Sequence, residues 1–155
     1  MSLIKKILLV LLILFIAIQF IQPARNKSAQ GLPTDISKAV SVPENVKMIL
    51  QTSCYDCHSN NTNYPWYNYV QPAAWMLANH IKYGKRDLNF SDFGSYSIRK
   101  QQSKLKAIAD QIKDGEMPLN SYTIIHKNAG LTIQQKKLIT DWAQNAKDSL
   151  DKINT

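Results

Sequence analysis

A chain of 155 residues has room for one globular domain of ordinary size. Its formal charge is +8, yet Lys5, Lys6, Arg25 and Lys27 supply four of those charges ahead of the first acid, Asp35, and so leave +4 for the rest. So mild an excess, without a concentrated basic face, argues against nucleic acid as a partner.

The amino terminus reads "MSLIKKILLVLLILFIAIQFIQ", with Lys5 and Lys6 ahead of an apolar run from Ile7 to Ile21 broken only by Gln19. A run apolar on every face suits a lipid environment better than the core of a small domain. Counted from Leu3 it spans about 28 Å of helix, with the lysines reaching back to the head groups. A removed signal peptide is the alternative, but the one small-x-small site, Ala29-Gln30-Gly31, lies about ten residues past the apolar end. Residues 1–22 are therefore expected as a transmembrane anchor. Residues 23–42, with Pro23, Gly31, Pro33 and small polar side chains, are expected as a flexible linker. The domain should occupy 43–150.

Ser41, Pro43 and Glu44 open a short helix to about Thr52, with Val46, Ile49 and Leu50 on its apolar face. It leads straight into "QTSCYDCHSNN", which holds both cysteines of the chain, Cys54 and Cys57, and then His58. Three chemistries use such a pattern. A redox C-x-x-C is expected beside a strand, and a structural zinc needs two further ligands from His80, His126 or carboxylates, with no second close pair to supply them. Covalent haem needs only these five residues: two thiols add to the porphyrin vinyl groups and the adjacent imidazole ligates iron. By chance the arrangement arises in about 3 chains in 10,000. The motif therefore points to one haem c, with Cys54 and Cys57 as its attachment points and His58 as the proximal ligand. Attachment of that kind is carried out on the outer side of energy-transducing membranes, so the expected location is the cytoplasmic membrane, single-pass, with the domain on the periplasmic side.

After an Asn- and aromatic-rich loop, "NNTNYPWYNY", Pro72 starts a second helix that Gly84 is expected to end. A third runs from about Tyr96 to Lys113, with Ile98, Leu105, Ile108 and Ile112 at helical spacing and Gly115 as its stop. The last carries the capping box "TIQQ", Thr132 to Gln135, followed by an amphipathic face of Ile133, Leu138, Ile139, Trp142 and Ala146. Strand signals are absent. The fold class is all-α, with a buried haem to organise the loops.

A second axial ligand must come from Met76, His80, Met117 or His126. Met117 stands in "KDGEMPLNSY", where Pro118 keeps it out of helical backbone and its thioether has no core to fill. It is the expected distal ligand. His80 is the rival, or else a hydrogen-bond partner of a haem propionate. Met76, four residues before His80 on the same face, reads as packing beside Trp75, as does Met48 on the first helix. His126 reads as a surface or capping imidazole.

The segments "CYDCHSNNTNYPWYNYVQPAAW", "HIKYGKRDLNFSDF", "GEMPLNSY" and "LTIQQKKLITDWA" together resemble the single-haem "haem-binding domain" family of bacterial cytochrome-c-like proteins common in Bacteroidetes. The resemblance covers residues 43 to about 146. It implies a cytochrome-c-like fold, haem on Cys54 and Cys57, His58 as proximal ligand, Met117 in the M-P position of the distal one, and His80 as a motif residue. The expected function is electron carriage between membrane-bound or periplasmic redox proteins, without enzymatic activity. "YPWYNYV" would wall the haem. Lys82, Lys85 and Arg86, or Arg99, Lys100, Lys104 and Lys106, would offer a docking rim. The alternative is a sensor or peroxidase-like enzyme with an open sixth position and His80 above it.

Overall fold

A computed structural model describes residues 2–28 and 32–153. Its helices are α1 (Leu3–Ile18), α2 (Ile36–Ala39), α3 (Glu44–Ser53), α4 (Tyr55–His58), α5 (Ala73–Asp87), α6 (Ile98–Lys113), α7 (Asn120–Thr123) and α8 (Ile133–Ile153). Tight 3₁₀ turns at Trp66–Tyr69, Phe90–Ser95 and Lys127–Ala129 join them. No strand occurs among the described residues, and one isolated bridge pairs Lys27 with Asn61. The all-α expectation holds.

The core lies where α6 and α8 pack on each other and on α3. Leu105, Ile108, Ala109 and Ile112 meet Ile139, Trp142, Ala143 and Ala146, with Val46, Ile49 and Leu50 closing the third side. Each set recurs at three- and four-residue spacing, so each helix presents one apolar stripe. Phe90 and Phe93, from the turn after α5, complete this core together with Ile36 of α2. Trp142 also donates its indole N–H to the Ser41 carbonyl at 2.9 Å, which ties α8 to the chain entering α3.

Local chemistry explains the helix ends. At α8, Thr132 N–H donates to Gln135 Oε1 at 2.9 Å, and Gln135 N–H to Thr132 Oγ1 at 3.2 Å, the reciprocal pair of a capping box. At the end of α6, Gly115 takes φ 77°. Its N–H reaches the Ile112 carbonyl at 3.3 Å and the Glu116 N–H reaches the Gln111 carbonyl at 2.9 Å. That is a Schellman stop, and glycine is there because the left-handed conformation carries no Cβ penalty.

Gly84 does not end its helix, which continues to Asp87. Its role is close packing. A Cβ there would lie 2.8 Å from the Cys57 carbonyl oxygen and 3.3 Å from Cys57 Cβ, so α5 approaches α4 along a face that only glycine permits.

The amino-terminal segment departs from expectation. Helix α1 is 16 residues long and buries none of them. Sixteen residues rise about 24 Å, short of a hydrocarbon layer of about 30 Å. No helix among the described residues is long and apolar enough to cross a membrane, so the expected transmembrane span over 1–22 is not supported. Where a flexible linker was expected over 23–42, the described residues run along the domain. Asn26 Nδ2 donates to the Ser59 carbonyl at 2.8 Å and to Thr62 Oγ1 at 2.9 Å, and Ile36 is fully buried. The candidate cleavage site Ala29-Gln30-Gly31 lies outside the described residues.

Candidate functional site

Cys54 follows the last residue of α3, and α4 carries Tyr55, Asp56, Cys57 and His58 as a single helical turn. Both residues between the cysteines are pinned. Asp56 accepts from the Asn63 N–H at 2.9 Å and from the Tyr122 hydroxyl at 2.6 Å, while its backbone carbonyl accepts from Thr62 Oγ1 at 2.6 Å. Tyr55 stacks on Phe90, with ring centroids 5.1 Å apart. The turn is thus fixed on two sides before any cofactor is considered.

His58 is oriented by α5. Its Nδ1 lies 3.0 Å from the Gly84 carbonyl and 3.0 Å from the Leu88 carbonyl. Both partners only accept, so Nδ1 carries the proton and Nε2 is left with its lone pair. Burial pushes the imidazole below its ordinary value, against the two hydrogen bonds that raise it, and so favours the neutral ring. A neutral imidazole with one nitrogen held by backbone carbonyls is the form that ligates a metal through the other.

Both thiols are free. Burial pushes Cys54 up to about 12 and Cys57 up to about 11. A redox or nucleophilic C-x-x-C needs the opposite shift, toward thiolate at neutral pH. The zinc alternative also lacks support, since no group of three or more His, Cys, Asp or Glu among the described residues is placed to hold a metal ion. Of the three chemistries, haem binding fits this donor set best.

Cys54, Cys57 and His58 line a cavity of about 250 Å³. One side is α4 with α5 packed on it, supplying His80, Tyr83 and Gly84. Another is α6 and the segment after it, supplying Ile108, Ile112, Met117, Leu119 and Tyr122, with Leu50, Leu88 and Phe90 between. The lining is mostly apolar, with Lys104 and His80 as basic members and Asp56 and Asp87 as acidic ones. A slot edged by two thiols, a half-free imidazole and a methionine suits a porphyrin, and a lysine and a histidine suit its propionates.

The structure brings Met117 and His80 to this cavity from different elements. His80 stands on α5, the helix whose carbonyls hold His58. Met117 leaves the Schellman stop of α6, with its N–H on the Gln111 carbonyl at 3.2 Å. Met76 and Met48 do not pack as expected: they are exposed and away from the cavity. Met76 and His80 stand four residues apart on α5, but only His80 lines the cavity. "YPWYNYV" does not wall the cavity either; Trp66, Tyr69 and Val70 are exposed. His126 is held in an aromatic cluster, its Nε2 2.8 Å from the Tyr67 hydroxyl and its ring stacked on Tyr122 at 4.2 Å.

Sequence reasoning missed the clamp behind the motif. Buried Asn89 donates to Asn60 Oδ1 at 2.8 Å and to Asp92 Oδ2 at 2.6 Å, and the Ser91 hydroxyl accepts from Asn60 N–H at 3.1 Å. "NFSDF" therefore fixes the loop that leaves His58 and seats Phe90 against His58 and Tyr55. The Asn-x-Ser pattern, typical of a local turn, was its only trace in the sequence.

A family model described as "Haem-binding domain" matches residues 13–145. No curated protein and no solved structure matches the chain.

Proposed function

We propose that this chain, which belongs to the haem-binding domain family, is a membrane-associated single-haem c-type cytochrome that carries electrons between redox proteins. The observation that carries this reading is His58: two backbone carbonyls fix its Nδ1 proton and leave Nε2 free beside two protonated, unpaired cysteines. In this reading Cys54 and Cys57 hold the haem covalently, His58 is the proximal ligand and Met117 the distal one. His80 and Lys104 receive the propionates. The haem supplies a one-electron couple when bound.

The chain's own part is to orient and enclose. Gly84 lets α5 come close enough for its carbonyls to hold the imidazole. Leu50, Leu88, Phe90, Ile108 and Ile112 keep water from the site, which favours the less charged ferrous state. A thioether from Met117 does the same and closes the sixth position, which disfavours the enzyme or gas-sensor alternative. Helix α1, apolar on every face from Ile7 to Ile18 and unburied, embeds in lipid as the anchor, with Lys5 and Lys6 at its start. The attachment chemistry sets the domain on the extracytoplasmic side, within reach of membrane-bound and periplasmic redox proteins.

Optical spectra of purified protein under carbon monoxide test the reading. Reversible one-electron cycling without uptake of the gas is expected. Prompt binding of carbon monoxide by the reduced wild-type protein would refute closure by Met117 and favour a sensor or enzyme.

A further inference from the structure

Residues 19–28 join α1 to the domain without a hinge. Fully buried Gln71 donates its backbone N–H to Gln19 Oε1 at 2.8 Å and its Nε2 to the Ile21 carbonyl at 2.8 Å. Trp75 Nε1 donates to the same carbonyl at 3.0 Å. A few residues on, Asn26 holds Ser59 and Thr62 and accepts from Lys85 Nζ at 2.6 Å, while the Arg25 guanidinium lies 4.6 Å over the Tyr69 ring. Bonded at both ends, this segment sets α1 at one place on the domain. Around the junction the surface is apolar: Phe20 is 84% exposed, Ile21 61%, Tyr69 60% and Met76 60%.

We propose that this edge (Phe20, Ile21, Tyr69, Val70, Trp75 and Met76) rests on an anionic lipid bilayer in which α1 is embedded. The haem domain is then seated on the membrane and does not swing from it. The inference rests on the reading of α1 as a lipid anchor and adds the surface and the orientation. Lipid is the occupant because α1, beyond Lys5 and Lys6, is apolar on all sides from Ile7 to Ile18 and buries none of its residues; a protein partner would need only one apolar stripe. Arg25 and Lys27 sit at the junction, exposed and in no ion pair among the described residues, and the sequence has no acid before Asp35. That charge complements anionic head groups, and Trp and Tyr are the aromatics that favour the head-group layer. Helix α5 carries Met76 in its first turn and Gly84 against Cys57, eight residues or about 12 Å apart along the axis. A seated domain therefore holds the haem site at a set distance from the lipid, open to partners in the membrane plane.

Two methionines of similar exposure supply the test, Met76 at 60% on the proposed edge and Met48 at 55% on α3. Full-length holoprotein is reconstituted in phosphatidylcholine–phosphatidylglycerol vesicles, recovered by flotation, and pulsed with hydroxyl radicals before mass spectrometry. Seating predicts that Met76 oxidises several-fold more slowly than Met48. It also predicts that Val70→Asp restores Met76 oxidation without loss of flotation or change in the haem spectrum. Equal oxidation of the two methionines in floated wild-type protein overturns seating and leaves a flexible anchor. Protein that fails to float overturns the anchor itself. Protection of Met76 accompanied by Tyr69 cross-links between copies assigns the edge to a second copy and overturns the lipid proposal.

Discussion

Substitution of Gly84 by alanine tests the contact that sets the haem motif against α5. The added Cβ would meet the Cys57 carbonyl oxygen at 2.8 Å, where ordinary contact begins near 3.4 Å, so helix or motif must move by about 0.6 Å. The obstacle is backbone and cannot swing aside. Overpacking of this kind costs about 1–3 kcal/mol. Against it stands the preference of a helix interior for alanine over glycine, about 0.5–1 kcal/mol. The net expectation is a loss centred on about 1 kcal/mol, or about 2–4 °C in Tm for a chain of this length. Because the Gly84 carbonyl also holds His58, the shift should loosen the imidazole and lower the yield of haem-loaded protein. Thermal unfolding of the holoprotein followed by circular dichroism reads the first effect, and the ratio of haem absorbance to protein the second. An unchanged or higher Tm with full haem loading would refute the reasoning, since helix propensity alone predicts stabilisation.

Met117→Ala should abolish the weak near-infrared sulfur-to-iron charge-transfer band of the oxidised protein, admit cyanide and lower the potential, whereas His80→Ala should leave the band in place; the reverse pattern would make the iron bis-histidine. Phe90→Ala removes a ring that is 2% exposed and stacks on Tyr55, and should cost about 3–5 kcal/mol in urea unfolding, against under 1 kcal/mol if the ring merely covers the surface. Tyr122→Phe deletes the 2.6 Å hydrogen bond to Asp56 and should cost about 1–2 kcal/mol, while Tyr83→Phe, which has no such bond, serves as the control and should stay near wild type.

What the sequence disclosed and what it hid divide along one physical line. Features made by neighbours in the chain were legible: C-x-x-C-H is contiguous, the Thr132–Gln135 box caps α8 as written, and Gly115 stops α6 by its own backbone freedom. Features made by distant partners were not. Gly84 carries the same letter as Gly115, and only the approach of Cys57 separates a packing glycine from a helix stop. Residues 23–28 have a linker's composition, yet Asn26 ties them to Ser59 and Thr62, 33 and 36 residues away. The aromatics of "YPWYNYV" look like cofactor wall by type, but type does not say which way a loop turns, and Trp66 faces outward. For α1 the apolar run was evident, while the helix ended at Ile18, short of the expected span.

The central claim is that Cys54 and Cys57 carry one haem covalently, with His58 as its proximal ligand. Intact mass spectrometry of the protein, unfolded in acid and separated from free cofactor, addresses it most directly. The account predicts a chain heavier by one haem, and a Cys54→Ala/Cys57→Ala double variant with the mass of the bare chain. A wild-type chain of unmodified mass, with its haem extracted into acidified organic solvent, would contradict it.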